Sequence, residues 1–259
     1  MEFKELIESR INDLINESIN NNYITSTKFL SLSEQNYALD KIKKEKHYNN
    51  EIDIIFFGGN NENDRKKIYF VPKMFNYNIN DIENLNDINL LKIEPKNSKF
   101  CDILSHRDIL GSLMSLNYNR NMFGDIIIKD NISYVYIDKE IAQDISNSLI
   151  SIKHTSVNSS IIDIKSIKLA LNYKEILINA SSLRIDAIIK EVFKISRNES
   201  QDLINNEFVF INGYLIKSQN YIVKENDRVS VKSKGKFIFL GIKNKSKKDR
   251  FFLNIKLYS

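Results

Sequence analysis

The sequence predicts an α+β fold in three parts: an N-terminal α/β region over residues 1–75, a split βαβ middle domain over 76–179, and a C-terminal module of two short helices and a small sheet over 180–259. Three observations carry this reading. Apolar residues recur at helical spacing near the start, and alternating apolar runs broken by Gly and Asn turns fill the centre. Capping signals near Ser196 then return the chain to helix before a last set of strands.

Phe3, Leu6, Ile7, Leu14 and Ile15 fall on one stripe and predict a helix over residues 2–19, and Ser33 to Lys46 reads as a second amphipathic helix with a lysine-rich end. Ile52 to Phe57 is a buried strand ending at Gly58-Gly59. Lys67 to Val71 is its partner across a polar loop that contains Arg65, Lys66 and Lys67. The glycine pair predicts a turn. It lacks the spacing and the Lys-Ser/Thr pair of a phosphate-binding loop, so nucleotide binding is not expected there.

In the middle, Ile88 to Ile93 reads as a strand, and Ser105 caps a helix from His106 to about Leu116 with Asp108 closing its capping box. Gly124 to Ile128 starts a hairpin with Ile132 to Ile137, and a helix follows from Lys139 to about Leu149. Strand, helix, two strands and helix is the order of an RRM-like split βαβ sandwich. RNA readers of that kind need aromatic rings on the open sheet face. Tyr134 and Tyr136, alternating with Val135, fit either that use or half-buried strand positions. His106 and Asp108 do not form an acid–base pair, because residues two apart on a helix point about 200° apart; a capped, positive helix start is the expected use.

Further on, Ser182 predicts a helix cap, with Leu183, Ala187, Ile188, Ile189 and Val192 on one side of a helix that runs to Phe193. Ser196-Arg197-Asn198-Glu199 fits a capping box for a second helix, with Leu203 and Ile204 as its buried pair. Arg197 and Gln201 then share one face, as do Lys190 and Lys194 on the first helix, so four polar side chains are expected along one groove. Phe208 to Ile211 alternates into Asn212-Gly213, a tight turn between strands, and Asn226-Asp227 marks another turn before Arg228-Val229-Ser230-Val231. Lys232, Lys234 and Lys236 alternate around Gly235, which predicts three ammonium groups on one side of a strand.

This segment resembles an S4 RNA-binding domain, the αL-type module found in a ribosomal protein, some pseudouridine synthases and tyrosyl-tRNA synthetases. The likeness rests on Leu183-Arg184-Ile185-Asp186, Ser196-Arg197, Ile204, Val209, Ile211-Asn212-Gly213, Asp227 and Val229-Ser230-Val231. It departs at Glu207 and Asn226, where glycine is usual. Asn accepts the left-handed conformation and Glu does so poorly, so the second helix is expected to end at Asn206.

The charge distribution agrees. Residues 180–259 hold 16 Lys plus Arg against 8 Asp plus Glu, whereas residues 1–179 hold 22 against 25. The whole basic excess therefore lies in the segment that resembles an RNA module, where it can neutralise phosphates and release counterions. A chain rich throughout in Asn, Ile and Lys explains a high lysine count but not that asymmetry. With 259 residues and 42% hydrophobic content the chain can bury a sizeable core. The charged start MEFKELIESR, the lack of a long apolar run and the lone Cys101 predict a cytoplasmic protein without membrane spans or a disulfide framework. Cys101 reads as a spectator thiol, and His47 and His154 sit in no metal-ligand spacing.

Taken with the S4-like module, Phe56-Phe57-Gly58-Gly59, Ser105-His106-Arg107-Asp108-Ile109-Leu110-Gly111 and Arg120 with Gly124-Asp125-Ile126 resemble the YlmH family of bacterial RNA-binding proteins over almost the whole chain. Asn117 stands where glycine is usual. The resemblance implies a non-catalytic protein that acts on the ribosome, around the large subunit, with structured rRNA and tRNA as partners during quality control of stalled chains. The expected RNA-binding residues are Arg184, Lys190, Lys194, Arg197, Asn198, Gln201, Lys232, Lys234 and Lys236, in a monomer without cofactor or metal. Pseudouridine synthesis is not expected: Asp186 lies within the S4-like helix, and the residues after the module are too few for a catalytic domain. The second hypothesis is a protein-interaction adaptor in cell division that uses the N-terminal helices, with RNA binding secondary.

Overall fold

Two helices lie on a small antiparallel sheet in the N-terminal region because their apolar stripes have nowhere else to be buried. The computed structural model describes residues 2–44, 51–97, 101–167, 169, 173–245 and 250–258. Lys46 and His47 fall outside them. Helices α1 (Glu2–Asn21) and α2 (Leu32–Lys44) contribute Ile11, Leu14, Ile15, Ala38 and Ile42 to a core shared with β2 (Ile52–Phe57) and β3 (Lys67–Pro72). The two-residue β1 (Thr25–Ser26) completes the sheet in the order β1-β3-β2. Helix α2 starts before the expected Ser33 because Ser31 caps it: the Glu34 N–H donates to the Ser31 hydroxyl at 3.4 Å, and the Ser31 N–H donates to the Glu34 carboxylate at 2.5 Å.

The middle elements follow the expected order. After a short α3 (Ile79–Asn84) come β4 (Ile88–Pro95), α4 (His106–Met114), β5 (Phe123–Lys129), β6 (Ile132–Asp138), α5 (Lys139–Ser148), β7 (Ser151–Ile152) and β8 (Thr155–Ile162). The strands form one antiparallel sheet, β5-β6-β4-β8-β7. Leu91, Ile93, Val135, Ile137 and Val157 face Ile109 and Leu113 of α4 and Ile141 and Ile145 of α5. Strand β8 supplies the fourth strand that a split βαβ sandwich requires. Its Thr-Ser-Val-Asn-Ser-Ser run is too polar to announce itself as a strand.

The other face of this sheet is not open at Tyr134 and Tyr136, which are buried at 6% and 2% exposure. Two glycines explain this in part: a Cβ on Gly59, at φ +84°, would lie 2.3 Å from the Tyr136 ring, and one on Gly124 would lie 2.8 Å from Phe29 and 2.9 Å from Tyr136 Cβ. The tyrosines are therefore packing residues, not stacking platforms. Beside them, Lys67, read both as the first residue of a strand and as a cation of the preceding loop, is a buried strand residue whose ammonium lies 2.7 Å from Asp87 and 2.8 Å from the buried Asp138.

Residues 1–170 and 171–259 form two separate units. In the second, β9 (Tyr173–Ala180) pairs along its length with β14 (Phe251–Tyr258) and so spans the boundary expected at 179/180. Between them run α6 (Ile185–Phe193), α7 (Arg197–Asn205), β10 (Val209–Ile211), β11 (Tyr214–Leu215), β12 (Arg228–Val231) and β13 (Gly235–Lys245). The sheet order is β11-β10-β12-β13-β14-β9. Ile188, Ile189, Val192 and Ile204 of the helices pack on Val209, Val229, Phe237, Leu253 and Ile255 of its inner face. The Asn212-Gly213 turn forms as expected, with both residues at positive φ. Asn212 also holds the next turn, its Nδ2 donating to the buried Asp227 at 2.7 Å and its Oδ1 accepting from the Arg228 N–H at 2.9 Å.

Two local expectations fail in this unit. Ser182 is not the cap of α6. Arg184 occupies that position, and Ser182 only accepts from the Arg184 N–H at 3.4 Å. Helix α7 ends on Asn206 as its cap, but Glu207 itself takes the left-handed conformation at φ 61°. Bonds from the Phe208 N–H to Leu203 at 2.9 Å and from the Glu207 N–H to Ile204 at 3.1 Å make this a Schellman motif, which holds Glu207 there despite its Cβ. A side chain in this conformation costs about 1–2 kcal/mol, offset in a Gly variant by about 0.5–1 kcal/mol of backbone entropy. Glu207→Gly is therefore expected to stabilise the unit by about 0.5–1 kcal/mol, read as a rise of roughly 2–8 °C in its melting temperature. No rise would mean that the motif carries no strain.

Candidate nucleic-acid interface

The first turn of α6 and the start of α7 are joined by one buried carboxylate. Asp186, 1% exposed, accepts two aligned bonds from Arg184, Nε to Oδ1 and a terminal nitrogen to Oδ2, both at 2.9 Å. Its Oδ1 also takes the Ala187 N–H at 3.0 Å, and Oδ2 takes Gln201 Nε2 at 3.4 Å. Arg197 Nε lies 3.6 Å from the same Oδ2, with its side chain 65% exposed. Burial alone would push the Asp186 pKa up; the bonds from Arg184 and Gln201 more than offset it and hold the carboxyl below the usual range. The result is two guanidinium groups and an amide fixed on a common anchor. The Arg184 bonds use two of its five N–H donors.

The structure brings Arg184, Arg197 and Gln201 together, with Asn198 exposed beside them on α7. It does not extend the groove as expected to Lys190 and Lys194. Lys190 pairs with Glu191 at 3.2 Å, and Lys194 leaves the helix in a left-handed cap at φ 54°. The helix stops there, so the i, i+4 face that would have aligned the two lysines is lost.

The expected row of three lysines on one strand is also corrected. Lys232 and Lys234 lie in the β12–β13 turn, where Ser233 and Gly235 take positive φ and break the alternation; only Lys236 is on β13. Lys234 joins the helix side, its Nζ 2.7 Å from Glu199. That contact also explains why Glu199 does not close the expected capping box: Ser196 accepts the Glu199 N–H at 3.1 Å, but the carboxylate turns to Lys234. Lys232 points the other way, over the rings of Phe208 and Phe210 at 5.6 and 5.3 Å.

In the middle domain Ser105, Asp108 and Arg120 make structural contacts. Ser105 and Asp108 form the reciprocal capping box, and Lys153 at 2.7 Å, followed by Ser105, pulls the Asp108 pKa down to about 2. Asp108 thus pairs with Lys153 and Ser105. Arg120 donates to the carbonyls of Phe123 and Gly124. Burial, then the neighbouring Arg65, lowers its pKa to about 10. Arg65 and its Asp125 contacts were missed as a unit, since only the fold places the 58–66 loop against the start of β5. Among the described residues there is no cluster of metal ligands, and no helix is long and apolar enough to cross a membrane.

Residues 80–166 match the family model described as "Putative RNA-binding domain in YlmH", and residues 183–229 match the S4 domain. A curated relative, "Ribosome-associated protein quality control protein P2" of Bacillus subtilis (strain 168), is 28% identical over 205 residues, covering 78% of this chain and 76% of its own length. A solved structure, "Cell division protein ylmH from Streptococcus pneumoniae", aligns over 64% of this chain and 94% of its own at 16% identity, with a TM-score of 0.49. The chain thus carries a YlmH-type RNA-binding domain over residues 80–166 followed by an S4 domain over residues 183–229.

Proposed function

We propose that the protein is a non-catalytic, monomeric, cytoplasmic factor of the ribosome that binds structured RNA of the large subunit and tRNA during quality control of stalled translation. The observation that carries this is the Arg184–Arg197–Gln201 cluster on Asp186, in the unit that holds the chain's basic excess. A buried carboxylate cannot leave its site, so it sets the height and direction of the Arg184 guanidinium before RNA arrives, and preorganisation lowers the cost of binding. Arg197, longer in its contact and largely exposed, is the group able to turn to a phosphate; Arg184 stays on Asp186 and offers its remaining donors. Lys194 and Lys234 add charge at the helix junction, where contacts to phosphate give affinity and register without base specificity. The ribosomal setting draws on the printed name of the Bacillus subtilis relative.

The test is sedimentation of the tagged protein from lysate at low and high salt, with sequencing of crosslinked RNA. Comigration with large subunits that is lost at high salt, with crosslinks to rRNA and tRNA through residues 180–259, is the expected result. Protein remaining at the top of the gradient without crosslinked RNA would overturn the proposal.

A further inference from the structure

The C-terminal sheet has a second face. Helices α6 and α7 cover the side that carries Val209, Val229, Phe237 and Leu253, so strand alternation turns the intervening residues outward. The register places Phe210, Ser230 and Lys236 side by side on that face, then Arg228 beside Ile238, Lys256 and Glu175. Glu175 is the one carboxylate at the outward positions of these described strands, against Arg228, Lys236 and Lys256. Large rings stand among the cations. Lys232 Nζ lies 5.3 Å from the centre of Phe210, and Lys256 Nζ lies 3.5 Å from the centre of Tyr173, which is itself 44% exposed. Leu177, at 50% exposure, extends the apolar part along β9.

We propose that this outward face binds an unpaired RNA strand, with its bases stacked on Phe210 and Tyr173 and its phosphates held by Lys232, Lys236 and Lys256. A sheet that served only as a solvated surface has no use for a half-buried ring and an exposed one interleaved with ammonium groups. A nonspecific single-strand surface needs both, because every base has a face to stack and every nucleotide a charge to neutralise. Duplex RNA is a poor fit, since its bases are already stacked and a flat sheet does not reach into its grooves. The rings lie on β10 and β9, four strand spacings apart, so the platform spans about 19 Å. This surface is distinct from the helix-side cluster, and it stands whether or not that cluster binds RNA.

The experiment is fluorescence anisotropy of the full chain with a labelled 12-nucleotide oligouridine as the unpaired probe and folded tRNA as the structured one. The wild type should bind the oligouridine. Phe210→Ala with Tyr173→Ala should raise its Kd at least about 10-fold, as expected for the loss of stacking. Lys236→Glu with Lys256→Glu, which keeps the rings, should raise it as well and flatten its salt dependence. Phe210→Ala with Tyr173→Ala should leave tRNA affinity within twofold, and circular dichroism melting should show both variants folded. If Lys194→Ala with Arg197→Ala abolishes oligouridine binding while both sheet variants retain it, a single helix-side surface serves all RNA and the proposal falls. It falls equally if the wild type does not bind the oligouridine, the outcome expected of a face that docks a protein.

Discussion

Lys67→Met is expected to destabilise the first unit by about 3–5 kcal/mol, the largest effect of any substitution considered. Removing one partner of a buried pair leaves the other charge uncompensated. Asp138 is fully buried and ends β6, while Lys67 starts β3, so the pair ties the N-terminal sheet to the middle sheet. Lys28, 3.2 Å away and partly exposed, is the other cation near Asp138 and cannot fill the space that Lys67 leaves. Asp138 also caps α5, its Oδ1 accepting from the Glu140 N–H at 3.1 Å. Lys67→Met with Asp138→Asn should therefore recover part of the loss, because Asn removes the charge but keeps the cap. Urea unfolding followed by near-ultraviolet circular dichroism reads both variants, and equal stability of the single and double variants would show that the charge pair is not the cause. The wild type should show the matching pH dependence. Burial raises the Asp138 pKa, but Lys67 more than offsets this and the folded value lies below the ordinary one. A depressed folded pKa gives stability that is present above the unfolded value near 3.9 and is lost as pH falls through the folded value.

Lys194→Ala with Arg197→Ala is expected to weaken binding to large-subunit rRNA and tRNA about 20-fold near 0.15 M salt. Each lost phosphate contact should make the plot of log affinity against log salt shallower by about 0.7 to 0.9, so two contacts remove about 1.4 to 1.8; carried from 1 M to 0.15 M salt, that change in slope gives the fold-change. These two residues are chosen because both are exposed and neither makes the aligned bonds to Asp186. Arg184→Ala is the poorer test, since it strips the buried carboxylate of its main partner and confounds affinity with folding. Filter-binding titrations at several salt concentrations measure the effect, and an unchanged slope at unchanged affinity would remove the helix side from the RNA interface.

Much of this molecule was legible in its sequence because the relevant interactions are local. The capping boxes at Ser105 and the Ser196 cap of α7 each act within one turn of chain. The Asn212-Gly213 turn depends on two residues, and the strand, helix, hairpin and helix of the middle domain follow from the period of their apolar positions. The charge asymmetry that marks the C-terminal segment is likewise a property of the chain itself. What the sequence could not reveal were partners distant in the chain or hidden by local irregularity. Lys67 looked like one of three loop cations until the fold placed it beside Asp87 and Asp138. Tyr134 and Tyr136 looked able to face an RNA strand until the fold buried both, with Gly59 packed against the Tyr136 ring. Asp186 was legible only as an acid within the S4-like helix, and only the packing of α6 with α7 gave it Arg197 and Gln201. The three lysines after β12 alternate perfectly in sequence, yet one turn with two positive φ angles sends Lys234 to the helices and Lys232 to the opposite face. Propensity and periodicity thus determined the elements, and short motifs carried the resemblance to an RNA-binding family, whereas burial and the pairing of distant charges, which depend on the assembled fold, decided which cations face which surface.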